Sequence, residues 1–486
     1  MELTTAQRDR AAGVLLGQAV GDALGVPYEF AAPPQGDAVM KGGGLGPYAP
    51  GEWSDDTQMA AVIAQVAATG ADLTTPAVRG RIAHGFNDWR QHGASDIGNQ
   101  TAAVIGSAWL SLTGSAMNAD CSKDELDDET WAAAYEQAAL AYTKKHERSA
   151  GNGALMRNGI VGLVALDDRE ATARAAAAVA ELTHADPLVA ESCILHAEAV
   201  RVAVVEGVLD LTRGLDLLPR SSQARWADWL ESAAELRPDQ IEANGSTFGA
   251  LRVARAAIAG STDVRSALQL AVTAGHDTDT VAAITGALIG ALHGASGIPA
   301  TWRRRVHGWP GLRARDLVSL ALQTAGAAGP GSWPLASHAP VEPGRPLGVR
   351  APFDDGLILG TQADLARTDA DAVVSLSRVG LADRSPSRPP ENHVECWLVD
   401  SDDPAAHNDL ACTLADCADA VAELRAEGKT VLLHCVAAQH RTPSVALVYA
   451  VRHCGLSVED ASEQIRKALG ANEIDGLLWR TAQLEA

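Results

Sequence analysis

The chain is 486 residues long, 47% apolar but only 4% aromatic, and carries a formal net charge of −22. Its length exceeds what one hydrophobic core organises, so two or three domains are expected, and alanine in place of aromatic bulk points to closely packed helices. So acidic a chain lacks the basic face that nucleic acid requires, and no nucleic-acid partner is expected. The seven cysteines are scattered, with only Cys412 and Cys417 close together, so neither a disulfide framework nor a zinc site is expected. The polar, charged start does not read as a signal peptide, and no apolar run approaches the roughly 18 residues of a spanning helix. A cytoplasmic protein without a membrane partner is therefore expected.

From Ala6 to about Thr324, Ala-rich stretches with apolar residues at i, i+3 and i+4 are broken by Gly, Pro and Asn/Asp clusters, the pattern of an all-α domain over residues 1–325. Two of its helices carry glycine at every fourth position, Gly13/Gly17/Gly21 and Gly286/Gly290/Gly294. Glycine inside a helix costs about 1 kcal/mol relative to alanine, so each bare ridge predicts another backbone packed closely against it. Residues 326–347 are rich in proline and glycine and read as a linker. Beyond it, over 348–486, the β-prone runs Leu357–Leu359, Ala372–Leu376 and Thr430–His434 alternate with helical stretches such as Asp409 to Gly428. That alternation predicts a small α/β domain.

Two acidic clusters, Ser54-Asp55-Asp56-Thr57 and Asp277-Thr278-Asp279-Thr280, stand more than two hundred residues apart. Carboxylates beside hydroxyls supply the oxygen ligands that hard cations such as Mg²⁺ and Mn²⁺ require, so each cluster reads as half of a binuclear site. The same residue types also serve as helix N-caps. Segments 21–29 (GDALGVPYE), 95–101 (SDIGNQT), 149–157 (SAGNGALMR) and 183–187 (THADP) accompany them.

With these motifs in the family's order, residues 6 to 320 resemble the ADP-ribosylglycohydrolase family. The resemblance implies an all-α fold, two divalent cations in a cleft, and release of ADP-ribose from a modified protein or small molecule. It makes Ser54, Asp55, Asp56, Asp277, Asp279 and Thr280 metal ligands and puts Glu29 and Asp96 at the reacting ribose. Hydrolysis of a glycosidic bond through an oxocarbenium-like state with a carboxylate-activated water agrees with that assignment. Ser149, Gly151, Asn152, Gly153, Met156 and His184 are the expected substrate contacts, with Asn152 able to turn the loop in left-handed geometry so that backbone N–H groups reach a diphosphate. Arg157 fits a phosphate contact and a structural role equally. The family usually has threonine at Ser54 and more often glycine at His276.

In the second domain, His434-Cys435-Val436-Ala437-Ala438-Gln439-His440-Arg441-Thr442 lies between a β-prone run and a helical one. This Cys-x5-Arg run resembles the dual-specificity protein tyrosine phosphatases. Loop N–H groups and a helix N-terminus would bind a phosphate ester and favour the Cys435 thiolate, with Arg441 as a bidentate clamp. The resemblance asks for an aspartic acid about thirty residues before the cysteine, and spacing ranks Asp403 first and Asp402 second. Most such loops carry glycine where Ala438 stands, a position where φ > 0 would cost alanine on the order of 1 kcal/mol. Cys121, Cys193, Cys396, Cys412, Cys417 and Cys454 read as small core residues.

The expected activity is a metal-dependent ADP-ribosylhydrolase joined to a cysteine-phosphatase-like module. The alternative is a protein of the same fold that binds ADP-ribose or phosphate without turnover, and a two-metal phosphodiesterase is disfavoured by the charge.

Overall fold

The computed structural model describes residues 2–119, 122–328, 346–380 and 385–486. Cys121 and most of the 326–347 segment lie outside the described residues. The chain divides into two compact units. The first contains Gln7–Ala295 and continues from Val306; the second gathers Thr4–Ala6, Ser296–Arg305 and the described residues from 346 onward. The 296–305 segment was expected within the first domain. It clusters with the second because Ala300 N–H donates to the Asp416 carboxylate and Arg304 pairs with Glu427 at 2.6 Å.

The first unit is helical: α1 (Thr5–Gly25), α2 (Asp55–Ala67), α3 (Pro76–His92), α4 (Asn99–Ala119), α5 (Asp128–Lys145), α6 (Arg169–Ala180), α7 (Pro187–Glu206), α8 (Arg220–Ala234), α9 (Thr247–Ala259), α10 (Val264–Val272) and α11 (Thr278–His293). After α12 (Ala300–Arg303), an element of the second unit, a short antiparallel ribbon of His307–Gly308 and Leu312–Arg313 leads into α13 (Ala314–Thr324). Several helices start as their sequences dictate. Asp127 accepts from Thr130 N–H, Asp168 from Ala171 N–H, and Asp186 from Leu188 N–H just before a proline, each satisfying a free donor of a first turn.

The two glycine ridges pack against each other. A Cβ on Gly13 would collide with the Gly290 carbonyl oxygen, one on Gly17 with that of Gly286, and one on Gly21 with that of Ala282. The pairing runs in opposite directions along the two helices, so the C-terminal end of α1 meets the N-terminal end of α11. Thr278 Oγ1 pins this junction by donating to the Gly25 carbonyl at 2.9 Å. Gly286→Ala is expected to destabilise the protein by about 2 kcal/mol, because a Cβ there would lie 2.1 Å from the Gly17 carbonyl oxygen, a backbone clash at the upper end of the about 1–3 kcal/mol of overpacking, against the roughly 1 kcal/mol that alanine returns to a helix. A lower denaturant midpoint at unchanged slope is the measurement that checks it.

The second unit is built on a mixed sheet. Numbering its strands after the ribbon (β1 and β2), they are β3 (Val349–Ala351), β4 (Asp354–Thr361), β5 (Ala372–Ser375), β6 (His393–Glu395) and β7 (Val431–Cys435), in the order β3-β4-β7-β5-β6. Only β3 is antiparallel to its neighbour. All five residues of β7 are buried, as a central parallel strand covered on both faces requires. Val431 and Leu433 join the main core with residues of α14 (Leu410–Ala426), α15 (Arg441–Arg452), α16 (Val458–Leu469) and α17 (Leu477–Glu485), while Leu432 joins Val373, Leu365 and Val379 in a smaller cluster. Cys193, Cys396 and Cys417 are buried as expected and Cys454 is half-buried, but Cys412 is exposed because the apolar stripe of α14 passes through Leu414, Cys417 and Val421 instead.

Candidate functional site

The glycine-mediated crossing of α1 and α11 decides where the carboxylates go. Asp22, on the last turn of α1, accepts from Ser54 N–H and Oγ at 2.8 Å each, and from Thr57 N–H at 3.0 Å and Oγ1 at 2.6 Å. It therefore caps the start of α2 from a different helix. The N-cap residues Ser54 of α2 and Asp277 of α11 make no capping bond to their own helices. Ser54 Oγ instead reaches Asp56 Oδ2 at 3.1 Å and Asp279 Oδ2 at 3.3 Å. The N-cap reading of the two clusters thus gives way to a shared acidic centre. Oxygens of Asp22, Asp56 and Asp279 lie within 4.8 Å of one another, and so do oxygens of Glu29, Asp277 and Asp279. Asp279 belongs to both sets.

So many carboxylates in one buried place cannot all be ionised without compensating charge. Burial, then Asp277, Asp96 and Asp55, push Glu29 up to about 8. Burial, then Asp96 and Asp22, do the same to Asp55, also to about 8. Asp22 rises to about 6, with burial outweighing its four hydrogen bonds. Asp56 and Asp279 are raised well above the carboxylate range and Asp277 is raised, in each case by burial first. Removing charge from water is offset only by a partner of opposite sign, and a divalent cation is the compact one that an all-oxygen donor set selects. The buried Asp56 Oδ1 has no hydrogen-bond partner, as an oxygen directed at a cation would be.

A cleft of about 390 Å³ opens over this centre, lined by Glu29, Asp55, Asp96, Asp277, Asp279 and Thr280 on the acidic side. Gly151, Asn152, Gly153, Met156 and His184 line it as well, with Gln100, Gly245 and the apolar Phe30, Leu45 and Ile97. Of the residues expected at the metals, Ser54 and Asp56 are buried behind these walls.

The 149–153 loop differs in detail from expectation. Asn152 does not adopt a positive φ. Its Nδ2 donates to Asp277 Oδ2 at 2.7 Å and to the Asn244 carbonyl at 3.0 Å, so it orients a candidate metal ligand instead of turning the chain. Ser149, expected at the substrate, is buried and donates to Asp186 Oδ2 at 2.9 Å, which secures the loop to the start of α7. Arg157 takes the structural role. Fully buried, it donates to the Gly153 carbonyl at 2.8 Å and to Thr183 Oγ1 at 2.6 Å, with its guanidinium over the Phe86 ring. Because Thr183 Oγ1 accepts from Arg157, its own proton is free for His184 Nδ1 at 2.8 Å. Burial, then Arg157, lower His184 to about 3, so the imidazole is neutral with its proton on Nε2, beside Gly151 and Gly153.

Phe30 and His276 hold left-handed backbones, at φ 47° and 57°, and are joined by Phe30 N–H donating to the His276 carbonyl at 2.6 Å. The position where the family more often has glycine is therefore one where glycine would be unstrained, and histidine keeps the geometry at a cost of about 1 kcal/mol. The residue that motif reading left without a role is Asp22. It lay inside the 21–29 segment, and its signal was its place at the end of a glycine ridge.

In the second unit, Cys435 ends the central strand β7 and Arg441 begins α15, so the intervening loop sits at the carboxyl end of a strand parallel to both its neighbours, where α/β folds bind ligands. Ala438 has φ 55°, and its N–H donates to Cys435 Sγ at 3.2 Å. Arg441 is buried, donates to the Leu398 carbonyl at 3.2 Å and lies 3.4 Å from Asp400 Oδ2. The Thr442 hydroxyl is buried without a partner. Asp400 also meets His440 at 3.1 Å, whereas Asp403 accepts from Ala405 N–H and Asp402 from Leu477 N–H. The acidic run thus presents Asp400 to Arg441, and spacing alone favoured its neighbours. Burial lowers His434 to about 4, and its Nε2 lies 2.6 Å from Ser375 Oγ.

The chain is similar to several known proteins. ADP-ribosylarginine hydrolase Tri1 of Pseudomonas putida (strain GB-1) is 29% identical over 312 residues, 61% of this chain and 74% of that protein. Its namesake from Serratia proteamaculans (strain 568) is 26% identical over 308 residues, 60% and 74% of the two chains. The structure of human DUSP28 is 25% identical, covers 30% of this chain and 96% of its own, and has a TM-score of 0.25. Among the described residues no helix is long and apolar enough to cross a membrane. The ADP-ribosylglycohydrolase model matches residues 3–331, more than half of the chain and all of the helices that assemble the acidic cleft, so this protein belongs to the ADP-ribosylglycohydrolase family and is a hydrolase.

Proposed function

We propose that the first unit binds two divalent cations, Mg²⁺ or Mn²⁺, and hydrolyses the glycosidic bond between ADP-ribose and a modified target, with arginine as the leaving side chain. The observation that carries this reading is Asp279, shared by two three-carboxylate sets. Asp22, Asp56 and Asp279 would frame one cation, and Glu29, Asp277 and Asp279 the other, with Ser54, Asp55 and Thr280 at their edges. Bound there, the cations would polarise ribose hydroxyls and acidify a water. Glu29 or Asp96, both facing the cleft, would take the proton of that water. The 151–153 backbone and His184 Nε2–H would meet the diphosphate, while Asn152 holds Asp277 in place. A carboxylate-rich cleft also favours a cationic guanidinium, in keeping with the activity named for the two bacterial relatives. The test is a panel of ADP-ribosylated arginine, serine and nucleotide substrates offered with each cation and with chelator. Release from arginine alone supports the whole reading; undiminished release in chelator overturns it.

For the second unit we propose a phosphate-ester site in the Cys435 to Arg441 loop. Its support is the Ala438 N–H directed at the thiol from a residue with positive φ, together with the buried Arg441 and the unpartnered Thr442 hydroxyl. Ala438→Gly is expected to stabilise the protein by about 1 kcal/mol, because the strain of a left-handed alanine is removed, and thermal unfolding reads it. Hydrolysis of para-nitrophenyl phosphate that vanishes in Cys435→Ser would establish turnover. Equal rates in the two proteins would exclude Cys435 as nucleophile.

A further inference from the structure

His393, Ser375 and His434 take no part in the readings above, yet they form a buried chain of hydrogen bonds behind the Cys435 to Arg441 loop. Ser375 stands opposite His434 in the β5–β7 ladder, and His393 opens the neighbouring strand β6. Side chains two apart along a strand share a face, so His434 lies on the side of Leu432 and its small apolar cluster, while Cys435 lies with Leu433 in the main core. His434 Nε2 is 2.6 Å and His393 Nε2 2.8 Å from Ser375 Oγ, and His434 Nδ1 is 3.2 Å from the Cys435 carbonyl oxygen. All three side chains are buried.

The chemistry of the groups fixes the direction of each bond. A carbonyl only accepts, so His434 Nδ1 carries a proton. Burial keeps this imidazole neutral, which makes its Nε2 a bare acceptor. Ser375 Oγ therefore donates to His434 and is left to accept from His393 Nε2–H. The chain runs from His393 through Ser375 and His434 to the Cys435 carbonyl. In a trans peptide the carbonyl and the N–H that follows it point in opposite directions. Holding the Cys435 carbonyl on His434 thus turns the Val436 N–H to the other side, and Gln362 N–H, donating to the Val436 carbonyl at 3.2 Å, does the same for the Ala437 N–H. No group among the described residues accepts from either N–H.

We infer that His393 and Ser375 are positioning residues of the second unit's phosphate site, which act through His434 to fix the Cys435–Val436 peptide so that its N–H is directed at a bound phosphate. This rests on the phosphate-ester reading above.

The experiment treats the full chain with iodoacetamide, follows alkylation of the Cys435 peptide by mass spectrometry, and titrates inorganic phosphate as protectant, at a temperature where unfolding curves show every variant folded. Ser375→Ala removes both links through the hydroxyl and is expected to raise the half-protecting phosphate concentration about tenfold. His393→Leu should raise it as well, whereas His393→Gln, whose side-chain amide can donate in place of Nε2–H, should restore the wild-type value. A wild-type value in Ser375→Ala or in His393→Leu, or equal losses in His393→Leu and His393→Gln, overturns the inference and leaves the phosphate site intact. Absence of protection in the wild type overturns the phosphate reading and the inference with it.

Discussion

Asp279→Asn is expected to lower ADP-ribose release by about 10³-fold, equivalent to about 4 kcal/mol of barrier, while raising the Tm of the cation-free protein. The two effects have one origin. Asp279 contributes to both three-carboxylate sets, so a neutral amide removes the ligand that the two cation positions share. In the absence of cations the same carboxylate is buried against Asp56, Glu29 and Asp277, and neutralising it relieves repulsion. Asparagine keeps the shape and can still accept from Thr280 N–H, which Asp279 Oδ1 does at 2.9 Å. Steady-state turnover with saturating Mg²⁺ and thermal unfolding in chelator are the two measurements. A variant that lost stability along with activity would instead mark Asp279 as a structural residue.

Without divalent cations, stability is expected to fall as pH rises from about 4 to about 8, and cations to restore it most strongly at the upper end. Glu29 and Asp55 each titrate near 8 in the folded chain against ordinary values of 4.5 and 3.8. For an acid whose folded value is raised, the native state holds the proton longer than the unfolded chain does. Stability is therefore full below the ordinary value, declines through the interval, and reaches its minimum above the folded value. Asp22, raised to about 6, adds to the lower part of the decline. Cation binding reverses the sign, because ionised carboxylates then have a partner. Ligand at about 1,000 times its Kd stabilises by about 4 kcal/mol, which shifts Tm by several degrees. Unfolding curves at pH 5 and pH 8, with and without Mg²⁺, test this. A cation-induced shift no larger at pH 8 than at pH 5 would contradict it.

The helical periodicity of the first unit and the β/α alternation of the second were legible because each depends on local spacing of apolar residues. The close backbone approach at both glycine ridges was legible too, since nothing else repays glycine in a helix. What remained hidden was that the ridges face each other, which takes two segments more than two hundred residues apart. The ambiguity at Ser54 and Asp277 was of the same kind. A capping oxygen and a ligating oxygen are chemically identical, and only the missing capping bonds separate them. Asn152 shows the opposite error: a residue type suited to left-handed turns was assigned by propensity, when a neighbouring carboxylate claimed its amide.

The amino-acid sequence by itself determined the stock of parts: oxygen donors in two runs, bare helix faces between them, a glycine-rich loop, and a cysteine six residues before an arginine. Tertiary structure decided which of those parts meet. Asp22 became part of the acidic centre because α1 can approach α11 only along glycine, and Asp400 came to Arg441 while Asp403 and Asp402 were taken up by nearby backbone N–H groups. Local chemistry fixes what a side chain can donate or accept, whereas the partner it finds depends on packing between segments remote in the chain.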